Sequence, residues 1–202
     1  MPYDVTVLSV RPASVPKALP RVQEYLAAGG GKLLACWYSE IGALNEIMIV
    51  REFESDQAAT KSREAAMRDA NPYGAGEFML ASRSDTFVMA PFIAALQAGS
   101  PGPFFEVRDY LLKPGVLAGT LERWQQALPK RVERSPILAA MYSVSGVGPR
   151  WIHIWPYKSM DERHHVRTKA MADGIWPPPG GAGTLETQRT DIFVPATFSP
   201  LR

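Results

Sequence analysis

Two short stretches place chemically versatile side chains at alternate positions: Glu106, Arg108 and Tyr110 in FFEVRDYLL, and His153 in WIHIWPY. Alternation is the period of a β-strand, so each set shares one face of its strand. An imidazole at His153 can act as a general base near neutral pH or ligate a haem iron. The Arg108 guanidinium can hold a carboxylate or enolate oxygen, and the Tyr110 hydroxyl can donate a hydrogen bond. Trp151, Trp155 and Tyr157 share the parity of His153 and can line a pocket for an aromatic molecule. The candidate catalytic groups are therefore His153, Arg108 and Tyr110. The candidate ligand-binding set is Glu106, Arg108, Tyr110, Trp151, His153, Trp155 and Tyr157. Each has an ordinary alternative: Glu106 paired with Arg108, His153 bonded to a backbone carbonyl, and the rings packed as core. Buried charges need partners whether or not a ligand exists.

Other chemical residues carry less. His164 and His165 are adjacent at a helix start, where side chains diverge, so they read as solvated rather than metal-binding. Arg163 and Arg167, four apart on one helix face, can hold an anion or pair with acids. Cys36 is the only cysteine, which rules out an intrachain disulfide and a cysteine-rich zinc site, and it reads as a buried thiol. No phosphate loop, nucleophile elbow or zinc-protease motif is present. No motif requires a cofactor, and a haem on His153 is the one cofactor considered.

Twenty-two basic residues are spread among 20 acidic ones, for a net charge of +2, and no basic cluster tracks a phosphate backbone. A nucleic-acid partner is not expected. The start, MPYDVTVLSV, lacks a basic leader region and reads as a strand. No apolar run approaches the ~20 residues of a membrane helix. The expectation is a cytoplasmic protein without membrane contact, with a homodimer possible through barrel edges or outer helices.

The elements that position these residues come from a duplication. At an offset of 104, Leu34 matches Leu138, Ser39 matches Ser143, Gly42 matches Gly146, and Ser55, Arg63 and Asp69 match Ser159, Arg167 and Asp173. Ten of 36 aligned positions are identical, where unrelated sequences would share roughly two. The first strands align at an offset of 102, and the last at 106, where Arg83 and Asp85 match Arg189 and Asp191. Each copy reads strand, helix, strand, strand, helix, strand. Strands are expected at 3–10, 33–39, 46–53 and 82–89, then at 104–111, 137–143, 151–157 and 186–194. Helices are expected at about 14–28, 56–70, 116–134 and 159–174, the third kinked or stopped near Leu128 by Pro129. Ser159 and Glu162 have the spacing of a capping box. This βαββαβ order is ferredoxin-like.

The predicted class is α+β: two tandem units, residues 1–91 and 104–202, joined by a linker at 92–103 and pressed sheet to sheet as a pseudo-dimeric barrel. Strand parity is read with Phe105, Val107, Ile152 and Ile154 under the helices. That would put Glu106, Arg108, Tyr110, Trp151, His153, Trp155 and Tyr157 inside the barrel, facing Asp4, Thr6, Leu8, Ile47, Ile49, Arg51 and Phe53. The loop WPPPGGAG at 176–183 is either a lid over the cavity or a plain connection.

FFEVRDYLLKPG, SPILAAMYS, IHIWPYKSMDER and PATFSPL together resemble the NIPSNAP family, closely over about Phe104 to Leu201 and weakly over Pro2 to Phe92. The resemblance implies a dimeric α/β-barrel, often with a small-molecule cavity, but no agreed reaction. The wider superfamily includes cofactor-free monooxygenases, haem-binding proteins, isomerases and binding modules. The favoured reading is a protein that binds a small apolar or aromatic molecule in the barrel cavity. The alternative is a cofactor-independent monooxygenase or isomerase, with His153 as base and Arg108 as anion stabiliser. A protein-interaction scaffold is a third option.

Overall fold

A computed structural model describes residues 1–202. The first repeat runs β1 (Tyr3–Val10), α1 (Val15–Ala28), β2 (Lys32–Ile41), β3 (Glu46–Glu52), α2 (Asp56–Arg68) and β4 (Met79–Met89). The second runs β5 (Phe104–Leu112), α3 (Leu117–Val132), β6 (Ala139–Ser143), β7 (Arg150–Tyr157), α4 (Met160–Ala172) and β8 (Leu185–Pro195). The two repeats start their second helices alike: the Ser55 hydroxyl accepts from the Ala58 amide, and Ser159 from that of Glu162. Pro129 does not end α3, which continues to Val132. The proline removes a backbone bond only near the last turn, and burial of Leu128 and Arg131 holds that turn in place.

The eight strands form one closed barrel in the order β1-β3-β2-β8-β5-β7-β6-β4. Each repeat therefore contributes a four-stranded sheet of the same internal order, and two antiparallel seams, β2–β8 and β4–β6, join the halves. Closure leaves no sheet edge unpaired. The seams are locked reciprocally. Gly42 lies on β2's exit at φ +110° with the Asp191 carboxylate where a Cβ would sit, and Gly146 meets Asp85 in the same way at φ +73°. Only glycine fits either place, because both the backbone angle and the space exclude a side chain. The Ala43 amide then donates to Asp191, and the Val144 amide to the Thr86 carbonyl. Residues 90–103 cross between the repeats, with Leu96 buried and Gly99 bridging in parallel to Leu201. No helix is long and apolar enough to cross a membrane.

The expected strand parity is inverted. One apolar cluster fills the barrel, and it draws Tyr3, Val5, Val7, Met48 and Val50 from the first repeat and Phe105, Val107, Ile152 and Ile154 from the second. Trp37 stacks on Phe105 across the repeats, ring centroids 4.2 Å apart. The opposite faces lie under the helices, where Trp151, Trp155 and Tyr157 pack with Trp124 and Leu128 of α3. In the first repeat Leu8, Ile47 and Ile49 pack with Val22 and Leu26 of α1. The physical reason lies in the barrel's size. An eight-stranded barrel has an interior only wide enough for its own side chains, so its middle takes the apolar residues, while Glu46, Asp85, Asp109, Arg150, Arg189 and Asp191 of the same parity pair with one another. The mixed polar and aromatic face goes where helices can supply partners for its charges.

Candidate functional site

Beneath the helices of the second repeat, the carboxylate of Glu106 on β5 is fully buried. One of its oxygens, Oε1, takes Arg108 at 3.0 Å, Arg163 at 2.6 Å and Arg167 at 3.5 Å. The first repeat has the same device, with Asp4 on β1 holding Arg51 at 3.4 Å and Arg63 of α2 at 2.9 Å. A buried acid on the first strand facing an arginine on the second helix is thus a structural feature of both copies. The Arg63–Arg167 repeat, read with Asp4 and Glu106 at matching positions, was the available signal for the true parity. An acid that needs a helix-borne arginine must face the helix.

Above Glu106 the second repeat contains a cavity of ≈ 250 Å³ between the outer face of the sheet, α3, α4 and the loop that leads into β8. Arg108 and Tyr110 of β5 and Trp151 and His153 of β7 line it, as do Trp124 and Arg131 of α3 and Arg167 of α4. Register explains the cluster, since β5 and β7 pair Arg108 with His153 and Tyr110 with Trp151. Glu106, Trp155 and Tyr157 do not reach the wall and support it from below or beside. Trp176, Pro177, Pro178 and the 181–185 turn close the remaining side. The Trp176 ring meets Trp124 edge-on at 4.7 Å and Trp155 at 5.7 Å. The loop at 176–183 is therefore a wall of the cavity, and the cavity lies outside the barrel rather than within it.

His153 is the most constrained group in the site. Its Nδ1 accepts from the Trp155 indole N–H at 2.6 Å. An indole nitrogen only donates, so the neutral imidazole carries its proton on Nε2, which is buried without a partner. Burial, followed by the charges of Arg108, Arg167 and Arg131, holds its pKa well below the usual 6.5. The lone pair a general base would use is occupied, which corrects the expected role. In this arrangement His153 is a neutral hydrogen-bond donor. Arg108 donates through Nε to the Tyr110 hydroxyl and through Nη1 to Glu106.

Sequence reasoning missed Trp124 and Arg131, and reached Trp176 only as part of the 176–183 loop. Arg131 lies near the C-terminal end of α3, 2% exposed, stacked over the Trp155 ring at 4.2 Å and bonded to the Tyr157 hydroxyl at 3.2 Å. It faces no carboxylate partner, and burial lowers its pKa. Its signal in the sequence was slight: a basic residue three positions after Leu128, on the stripe that also holds Trp124. In the first repeat Leu8, Ile49 and Val22 take the same region, and Tyr73, 4% exposed, packs in from the loop before β4. The space that corresponds to the cavity is thus taken up by apolar side chains.

A closed barrel of two fused ferredoxin-like units with a walled recess under one helix pair defines the class as a pseudo-dimeric α/β barrel. The NIPSNAP family model matches residues 3–92 and again 105–200. The chain belongs to the NIPSNAP family, as a tandem pair of its domains. It is 26% identical over 159 residues to a protein NipSnap homolog of Dictyostelium discoideum, a match spanning 73% of this chain and 66% of that protein. Among solved structures, an anthrone oxidase-like protein superimposes with a TM-score of 0.68 at 10% identity, over 96% of this chain and 91% of that one. A putative monooxygenase from Lactobacillus acidophilus gives 0.65 at 9% identity, over 96% and 93%. These two likenesses establish the two-unit barrel and nothing finer.

Proposed function

We propose that this NIPSNAP protein binds a small, largely aromatic or apolar molecule between the sheet and the helices of its second repeat. The observation that supports the reading is the cavity itself, apolar on the sides formed by Trp124, Trp151 and Trp176 and polar at Arg108, Tyr110 and His153. Small-molecule sites combine an apolar lining with a few convergent polar groups in this way. Its volume of ≈ 250 Å³ lies just under the ~300–1,000 Å³ of drug-sized pockets, so the occupant is compact.

Native mass spectrometry of the protein purified from cells, followed by extraction, tests the reading. The expected result is a retained small molecule that Trp176→Ala releases while the chain stays folded. A Trp176→Ala protein that retains its ligand as well as the parent would place the molecule elsewhere.

A second reading, a cofactor-independent monooxygenase or isomerase, draws support from Arg108 and His153 sharing one wall. In that reading Arg108 stabilises an enolate oxygen and His153 donates through Nε2. The base would have to be another group, or the substrate would have to ionise before it binds.

A further inference from the structure

Three buried side-chain N–H donors lack an acceptor, His153 Nε2, Trp151 Nε1 and Arg131 Nε, and all three belong to residues that border the same cavity. All three residues are at most 2% exposed. Buried polar groups are ordinarily paired, because an unmade bond costs the full desolvation of the group. An isolated orphan has many explanations, but three of one kind around one space have a simpler one. Each is a donor, and the one orphan acceptor nearby, Glu106 Oε2, belongs to a residue beneath the wall rather than on it. Four arginines, Arg108, Arg123, Arg131 and Arg167, line the cavity together with no aspartate or glutamate. The carboxylate of Glu106 lies below the wall and serves Arg108, Arg163 and Arg167 through Oε1 alone.

We infer that the ligand of this site is a compact aromatic monocarboxylate, its carboxylate turned toward Arg131 and the His153 and Trp151 N–H groups and its ring against Trp124 and Trp176. A carboxylate is acceptor-only and brings the negative charge that Arg131 lacks. Arginine favours planar, two-oxygen partners of this sort. A neutral His153 is suited to the task, since it can donate to a carboxylate without adding a further positive charge. The apolar walls suit a ring, and the small volume limits it to one or two fused rings. This inference rests on the cavity being the binding site.

Four of the five tryptophans, Trp124, Trp151, Trp155 and Trp176, surround the site, so intrinsic fluorescence reports occupancy. The test titrates the intact chain with benzoate, phenylacetate and indole-3-acetate, and with the primary amide of each, calorimetry serving for the indole pair. The expected result is that at least one acid binds roughly 10- to 100-fold tighter than its own amide, the discrimination a charge-assisted bond confers. Arg131→Met should abolish that preference while amide binding persists, and Arg167→Met, at a more exposed position, should narrow it. Amides that bind as well as the acids would overturn the anion and leave the cavity reading intact, with water answering the three donors. Failure of all six to bind up to their solubility would overturn both.

Discussion

His153 shows how environment, rather than residue type, decides what a side chain can do. Stripped of water and facing three arginines, it favours the neutral state. Unfolding returns it to an ordinary pKa near 6.5, so below that pH the unfolded chain binds a proton the native one refuses. Stability should therefore fall as pH drops below about 6.5, by at most ~1.4 kcal/mol per pH unit from this group. It should be level in this respect above about 7. Denaturant titrations at a series of pH values should show that slope in the parent and a shallower one in His153→Gln. Cys36 gives a parallel case, because burial pushes its thiol up to about 12. It should resist alkylation in the native protein and react once denatured, as timed iodoacetamide labelling would read. The sequence marked both residues as worth asking about. It could not reveal that a tryptophan two positions on, Trp155, would consume the histidine's lone pair, since that depends on rotamers fixed by α3.

At the scale of elements, order and boundaries were legible because the duplication supplied a second reading of each. Helix starts were marked by Ser55 and Ser159, and turns by Gly42 and Gly146. Parity was not legible from alternation alone, since every strand has an apolar set that suits either side of a sheet. Tertiary closure decided it, since the middle of the barrel is filled by a single apolar cluster drawn from both repeats. The alignment of Asp4 with Glu106 and Arg63 with Arg167 held the answer in paired form. Helix α4 also links capping to the site, because Ser159 starts the helix that presents Arg163 and Arg167. Ser159→Ala and Ser55→Ala should each cost about 1 kcal/mol in chemical denaturation. Only Ser159→Ala should also weaken ligand retention, since α4 carries Arg167 on the wall of the proposed site and α2 contributes nothing to it.

For the whole molecule, the seams set the unit of folding. Barrel-facing residues of both repeats form a single apolar cluster, so neither half has a finished core. Residues 104–202 expressed alone should self-associate through the exposed sheet, and light scattering should find a dimer or larger species rather than a monomer. Gly42→Ala and Gly146→Ala should each destabilise the intact chain by ~1–2 kcal/mol or more, since the left-handed backbone is penalised before the meeting with Asp191 or Asp85 is added. A single cooperative transition by fluorescence and by circular dichroism is the matching expectation.

The two seams are one joint used twice, and that makes the direction of travel around the barrel incidental. Residues 90–103 carry the chain from β4 to β5. The segment after β8 runs back along β2, with Leu201 bonded to Leu34 and Arg202 to Gly99 of the crossing segment. A circularly permuted chain, opened between Pro101 and Gly102 and rejoined from Arg202 to Met1 by a short glycine–serine bridge, should close the same eight strands. Its ring of strands has no natural first member, and where the peptide is cut is a matter of ancestry rather than of architecture.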